Sequence, residues 1–259
     1  MMSKVYAIAN QKGGVGKTTT NINLAANLAV LGKRVLTIDI DPQGNTTSGL
    51  GISKSGNDFL SVYDVLINGA DIRDSVMKTQ VENLDIVTSN LQLAGAEVEL
   101  VMMDSREYIL KNAIELIKDE YDYIFIDCPP SLGLLTINAL TAAAGVIIPI
   151  QCEFFALEGL TQLLNTIQRV QKMSNPDLDV EGVVLTMFNA RTNLSIQVVE
   201  EVKRHFRDKL FTTIIPRNVR LGEAPSHGLP IHIYDPRCVG AVSYAELAQE
   251  FLDREKEAV

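Results

Sequence analysis

Residues 12–19 read Lys-Gly-Gly-Val-Gly-Lys-Thr-Thr and follow directly on the apolar run Val5-Tyr6-Ala7-Ile8-Ala9. An apolar run of this length reads as a buried strand. Glycines next to it let the backbone reach positive φ, so that successive N–H groups can crowd around an anion. Lys17 has the reach to touch β- and γ-phosphates, and the Thr18 hydroxyl suits Mg²⁺. A helix opening at Thr18-Thr19-Thr20 aims its N-terminal N–H groups and dipole at the same place. Strand, loop, lysine and helix in this order confine the chain to folds that hold a triphosphate at the end of a parallel strand.

The usual phosphate-loop pattern places a glycine five residues before Gly16, where this chain has Gln11. What stands instead is Lys12-Gly13-Gly14-Val15-Gly16-Lys17-Thr18, the deviant form with an additional lysine at its start. A dinucleotide fingerprint, G-x-G-x-x-G, is absent from this segment.

Apolar runs alternate with helical patterns along the whole chain. Strands are expected over 4–10, 34–41, 83–88, 121–128, 145–151, 180–187 and 211–216, each rich in Val, Ile or aromatics. Helices are expected over 17–31, 101–119, 132–144, 157–173, 195–209 and 239–255. In the first, Ile22, Ala25, Leu28 and Ala29 make a stripe at helical spacing. This alternation predicts an α/β chain: a single P-loop NTPase domain over 1–259, with a doubly wound, mostly parallel sheet flanked by helices. The hydrophobic content of 46% suits a sheet buried on both faces. The segment 44–60, rich in Gly, Ser and Asn, reads as a long surface loop.

Carboxylates complete the expected site. Asp39 and Asp41 lie two apart at the end of the second strand, so both are expected to face the phosphate loop. Asp127 closes the apolar strand Tyr123-Ile124-Phe125-Ile126 and fits the role of holding Mg²⁺. Triphosphate hydrolysis needs charge neutralisation and a water held in line. Lys17, Mg²⁺ and the loop amides serve the first need, and Asp41 is the residue expected to orient or deprotonate the water. Cys128 adjoins Asp127, but a neighbouring carboxylate raises a thiol pKa, which argues against a nucleophile.

No apolar run approaches the roughly 18 residues that a membrane helix needs. The N-terminus lacks a charged-then-apolar leader pattern, which implies a cytoplasmic chain. Cys128, Cys152 and Cys238 are odd in number and widely spaced, as reduced thiols would be. The net charge of −9 is unevenly spread. Between 189 and 220, Arg191, Lys203, Arg204, Arg207, Lys209, Arg217 and Arg220 stand against only Glu200, Glu201 and Asp208. Such a region could dock on a polyanion.

Five segments together resemble the ParA/Soj chromosome-partitioning ATPases, a branch of the ParA/MinD-type deviant Walker ATPases, over nearly the whole length. They are Lys12-Gly13-Gly14-Val15-Gly16-Lys17-Thr18-Thr19, Asp39-Ile40-Asp41-Pro42-Gln43-Gly44-Asn45, Asp127-Cys128-Pro129-Pro130-Ser131, Ala156-Leu157-Glu158-Gly159-Leu160 and Ile215-Pro216-Arg217-Asn218-Val219-Arg220. The resemblance implies ATP and Mg²⁺ as ligands, bound by Lys12 to Thr19. Pro216 and Asn218 would lie against adenine. It implies an ATP-dependent homodimer in which Lys12 reaches the partner's phosphates and joins Asp41 and Lys17 in catalysis. Thr18 and, through water, Asp127 would hold the metal. Arg191 and Arg220 match positions that contact DNA in the family, which binds double-stranded DNA without sequence preference. A ParB-type partner would stimulate slow hydrolysis, in the cytoplasm and on the nucleoid.

Three other readings fit less well. A membrane-cycling relative of the MinD type needs a basic amphipathic C-terminal helix. Here Glu246, Glu250, Asp253, Glu255 and Glu257 outnumber Arg254 and Lys256. An iron-protein of the nitrogenase type needs cluster cysteines soon after Asp127, and residues 131–138 contain none. A scaffold that binds ATP without hydrolysing it would have no use for Asp41.

Overall fold

The computed structural model describes residues 3–53, 59–153 and 158–257. Residues 54–58 of the expected loop, Ala156 and Leu157 of the fourth family segment, and the final Ala258-Val259 lie outside them.

Seven strands form one sheet in the order β3-β4-β2-β5-β1-β6-β7. They are β1 Lys4–Ile8, β2 Val35–Asp39, β3 Val76–Lys78, β4 Leu84–Val87, β5 Tyr123–Asp127, β6 Gly145–Gln151 and β7 Asp179–Thr186. All neighbours run parallel except β3, which pairs antiparallel with β4 at the edge. Successive strand residues feed opposite faces. On one face Ala7, Leu36, Ile38, Ile124, Ile126 and Ile148 join a core under the central helices. On the other, Tyr6, Ile8, Phe125, Ile147 and Val184 pack under α1 (Lys17–Val30) and the C-terminal helix Val239–Glu257. Phe251 of that helix meets Tyr6 edge-on, with ring centroids 5.3 Å apart. Both faces being covered is why these strands read as continuous apolar runs.

Strand β1 has β5 on one side and β6 on the other. The chain order reverses there, so a crevice opens beyond its carboxyl end, at the topological switch point. The register sets Asp127 beside both Ile8 and Asp39. Three chain segments therefore deliver their functional residues to one rim.

Some expectations need correction. Residues 211–216 are not a strand; the Phe211 and Ile215 N–H groups donate to the Val183 and Leu185 carbonyls of β7 (2.9 and 2.8 Å), but the pairing amounts to isolated bridges at Val183–Leu210 and Phe188–Pro216 and no continuous ladder. Pro216 has no N–H, and the Thr212 and Thr213 N–H groups are taken by the Glu250 carboxylate at 2.7 and 2.8 Å. The helix expected over 101–119 is broken: helices run over Leu93–Leu100 and Ile109–Glu115, and Ser105 between them has a left-handed φ of +51°. The stretch 44–60 is not simply a loop. Asn45–Gly49 forms a short helix, α2, in which Thr46 and Thr47 are buried. No helix among the described residues is long and apolar enough to cross a membrane.

Candidate active site

The loop after β1 is pinned from both ends. The Asn10 side chain donates to the Pro149 carbonyl (2.7 Å) and accepts the Lys12 N–H (3.0 Å). Gly14 and Gly16 have φ of +75° and +90°, conformations that a side chain resists. Gly16 caps α1, and no side chain bonds the orphan N–H groups of that helix end. An uncapped helix start of this kind is an anion site.

It opens on a cavity of about 290 Å³ lined by Gly13, Gly14, Gly16, Lys17, Thr18 and Thr19, with Asp41 and Pro130 opposite. Lys17 is nearly buried, and its ammonium donates to the Lys12 carbonyl (3.2 Å). Burial pulls its pKa down, and the Asp127 charge works against that. Val15 and Lys12 do not line this cavity. Val15 is buried and its carbonyl accepts from Thr186 (2.8 Å). The Lys12 ammonium lies 3.9 Å from Glu153, partly exposed.

Asp127 is fully buried, and its Oδ2 accepts from the hydroxyls of Thr18 and Thr46, each at 2.8 Å. Its Oδ1 has no hydrogen-bond partner among the described residues. Burial pushes this carboxyl above the usual range. A buried carboxylate oxygen without a partner, beside a threonine hydroxyl and under an anion cavity, is a set of hard oxygen donors that fits Mg²⁺ with water in its shell.

The two carboxylates after β2 part company. Asp41 lines the phosphate cavity, accepts the Gln43 N–H (2.9 Å) and has its carbonyl tied to Ser89 (2.7 Å). Asp39 does not face the loop as expected. It is fully buried and accepts from the N–H and hydroxyl of Thr47 (2.8 and 2.7 Å) and from the Asp41 N–H (3.2 Å). Burial, then the Asp127 charge, pushes its carboxyl up. Asp39 therefore organises α2 and the Asp41 turn. Cys128 is also fully buried, and burial followed by Asp127 pushes its thiol well up, so it is inert.

A second cavity of about 410 Å³ shares Gly16, Thr19 and Met187 with the first. Pro216 and Asn218 line it, with Tyr244 and Glu223. Its size and mixed walls suit a nucleoside. Asn218 uses its side-chain oxygen to cap the short helix Val219–Glu223 through the Arg220 N–H (2.8 Å), leaving its NH₂ as a donor. Met187 touches both cavities with a left-handed φ of +52°. Neither it nor Thr46 had been expected. The Thr46–Asp127 bond joins residues 81 apart, and no local pattern encodes such a contact.

Arg191 is exposed on the turn before the helix Asn193–Phe206, its N–H donating to the Asn189 side chain (3.1 Å). Arg220 is exposed too, but it donates to Glu223 (2.8 Å) and lies 3.5 Å from Asp235.

A glycine-rich loop at the switch point, feeding an uncapped helix beside a strand-tip carboxylate, is how P-loop NTPases hold a triphosphate, and Lys12 marks the deviant branch of that class. An AAA domain family model matches residues 3–180. The sporulation initiation inhibitor protein Soj of Bacillus subtilis is 64% identical over 249 residues, 96% of this chain and 98% of that protein. The chromosome partitioning protein ParA of Caulobacter vibrioides is 52% identical over 256 residues, 98% and 96% of the two chains. Among solved structures, a Mycobacterium smegmatis protein named cobyrinic acid a,c-diamide synthase, with bound ADP and magnesium, superposes with a TM-score of 0.87 at 38% identity, over 100% and 97% of the chains. The cell division ATPase MinD of Pyrococcus furiosus gives 0.81 at 25% identity, over 97% and 99%. The chain belongs to the Soj/ParA family of P-loop ATPases.

Proposed function

We propose that this protein is a DNA-partitioning switch that binds ATP with Mg²⁺, pairs face to face with a second copy and hydrolyses ATP slowly to reset. The observation that carries the reading is Lys12. Its ammonium stands outside the phosphate cavity of its own subunit while its carbonyl anchors Lys17. A cation so placed is of use to a neighbour's phosphates. Gly13 agrees: a Cβ there meets nothing within 4 Å inside the subunit.

The triphosphate lies along the α1 N-terminus with Lys17 on its β- and γ-phosphates. Thr18 and, through water, Asp127 would hold Mg²⁺, which would supply neutralisation of the charge developing on the phosphate oxygens. Asp41 holds a water in line and takes its proton as the water oxygen bonds the γ-phosphorus and the bond to the β–γ bridging oxygen breaks. Pro216 and Asn218 bound the base.

The dimer carries two copies of Arg191 and Arg220 to double-stranded DNA, without reading its sequence. This setting is the cytoplasm, on the nucleoid, where a ParB-type partner stimulates turnover. A MinD-like membrane cycle is the weaker reading. Tyr244, Leu247, Ala248 and Phe251 of the C-terminal helix are committed to the core, and the outer side of that helix is acidic.

Titrating a labelled non-specific duplex with the protein in ADP, in ATP and in a slowly hydrolysed analogue tests the switch. Binding is expected with ATP and the analogue, steeply weakened by salt. Equal binding in all three states contradicts it.

A further inference from the structure

Arg191 and Arg220 sit in opposite electrostatic surroundings. No carboxylate pairs with Arg191 among the described residues, whereas two bracket Arg220. Glu223, one turn along the same short helix, accepts from its Nη1 at 2.8 Å. Asp235, from the end of the helix Ile231–Tyr234, lies 3.5 Å from its Nε. The Tyr234 hydroxyl donates to the same Glu223 oxygen (3.1 Å), and the Tyr234 ring stacks on His227 with centroids 4.9 Å apart. Glu223 is thus fixed from two sides, and a guanidinium held this way presents no net positive charge to a phosphate.

Glu223 also lines the 410 Å³ nucleoside cavity. A donor entering that cavity, an exocyclic amine or a ribose hydroxyl, competes with Arg220 for this carboxylate.

We propose that Glu223, assisted by Asp235, is a clamp on Arg220 that withholds it from polyanions until nucleotide in the adjoining cavity draws Glu223 away. This rests on the reading of Arg220 as a DNA contact and adds a regulatory device to it. The coupling is bounded: a ligand shifts such an equilibrium only by its differential affinity for the two arrangements. One exposed ion pair is worth up to about five-fold, so two per dimer give at most roughly twenty-five-fold. The clamp therefore trims DNA binding in the resting state and leaves the main control to dimerisation.

The test measures fluorescence anisotropy of a labelled non-specific duplex against wild type, Glu223→Gln, Arg220→Ala and the double variant, each without nucleotide, with ADP and with ATP. Glu223→Gln is expected to raise affinity about two- to five-fold without nucleotide, and less with ADP or ATP, which bring the same base and ribose to the cavity. The gain should vanish when Arg220 is alanine. Asp235→Asn, which lies outside the cavity, should give a smaller gain with the ATP turnover of wild type. A gain that survives in the double variant, or is equal in every nucleotide state, reduces Glu223 to one more surface charge and overturns the clamp. So does the absence of any gain from Glu223→Gln or Asp235→Asn while Arg220→Ala weakens DNA binding with ATP. If Arg220→Ala binds DNA as wild type does with ATP, the DNA reading of Arg220 itself falls, and the clamp with it.

Discussion

The rim at the strand tips and the outer face that carries the arginines are built on different physics. At the rim, Asp127, Thr46 and Asp39 are fully buried with Thr18 half-buried beside them, and each bond is enforced by sheet register and the packing of α1. On the outer face, Arg191 pairs with no carboxylate among the described residues, and Arg220 is held by two half-buried ones. A buried hydrogen bond is expensive to leave unmade, and an exposed ion pair is worth little. On that physics the rim suits fixed catalytic geometry, and the outer face suits adjustable, salt-dependent recognition.

The largest effect should come from the rim. Asp41→Ala is expected to lower ATP turnover by about 10²- to 10⁴-fold while nucleotide still binds. Steady-state phosphate release and nucleotide titration separate the two, and unchanged turnover would remove Asp41 from the chemistry. Thr46→Val keeps the shape but leaves Asp127 and Asn21 each short of a partner. A loss of about 2 kcal/mol is expected, read as a fall in thermal midpoint of roughly 4–8 °C. A midpoint equal to wild type would mean that the buried network is less coupled than its geometry.

The Thr46 network also marks where the sequence stops being readable. The phosphate loop, Asp41 and Asp127 could be found because each lies on one strand or the turn after it, and alternation along a strand is a local property. The assignment of Asp39 to the same cavity failed because α2 folds back over it: Thr47 bonds one carboxylate oxygen and the Asp41 N–H the other. Strand β3 was missed because three edge residues, two half-buried and Lys78 exposed, carry no alternation signal. The segment 211–216 had the composition of a strand, but Pro216 and the Glu250 side chain claim the edge that a neighbour would need. Resemblance alone implied adenine contacts for Pro216 and Asn218; in the fold they line a cavity together with Gly16 and Thr19. Met187 and Glu223 reach that cavity through tertiary packing alone.

Smaller effects belong to the outer face. Arg191→Glu and Arg220→Glu are each expected to weaken ATP-dependent DNA binding by about ten-fold and to flatten its salt dependence, with dimerisation intact. Gel shifts at low salt that match wild type would dissolve the contrast. Smallest of all, Arg220→Ala should leave the midpoint of chemical denaturation where wild type has it. A loss comparable to that of Thr46→Val would make the outer face structural.

The central claim is that two subunits close over their triphosphates, each lending Lys12 to the other. Sedimentation velocity under saturating ATP and Mg²⁺, in the Asp41→Ala background to hold the nucleotide intact, reads this directly. The account predicts a dimer for the parent, and monomers when Lys12→Ala or Gly13→Val is added: the first removes the lent charge, and the second sets a branched side chain in space that a second subunit must enter. A parent that stays monomeric, or a Lys12→Ala variant that dimerises as well as its parent, would contradict it.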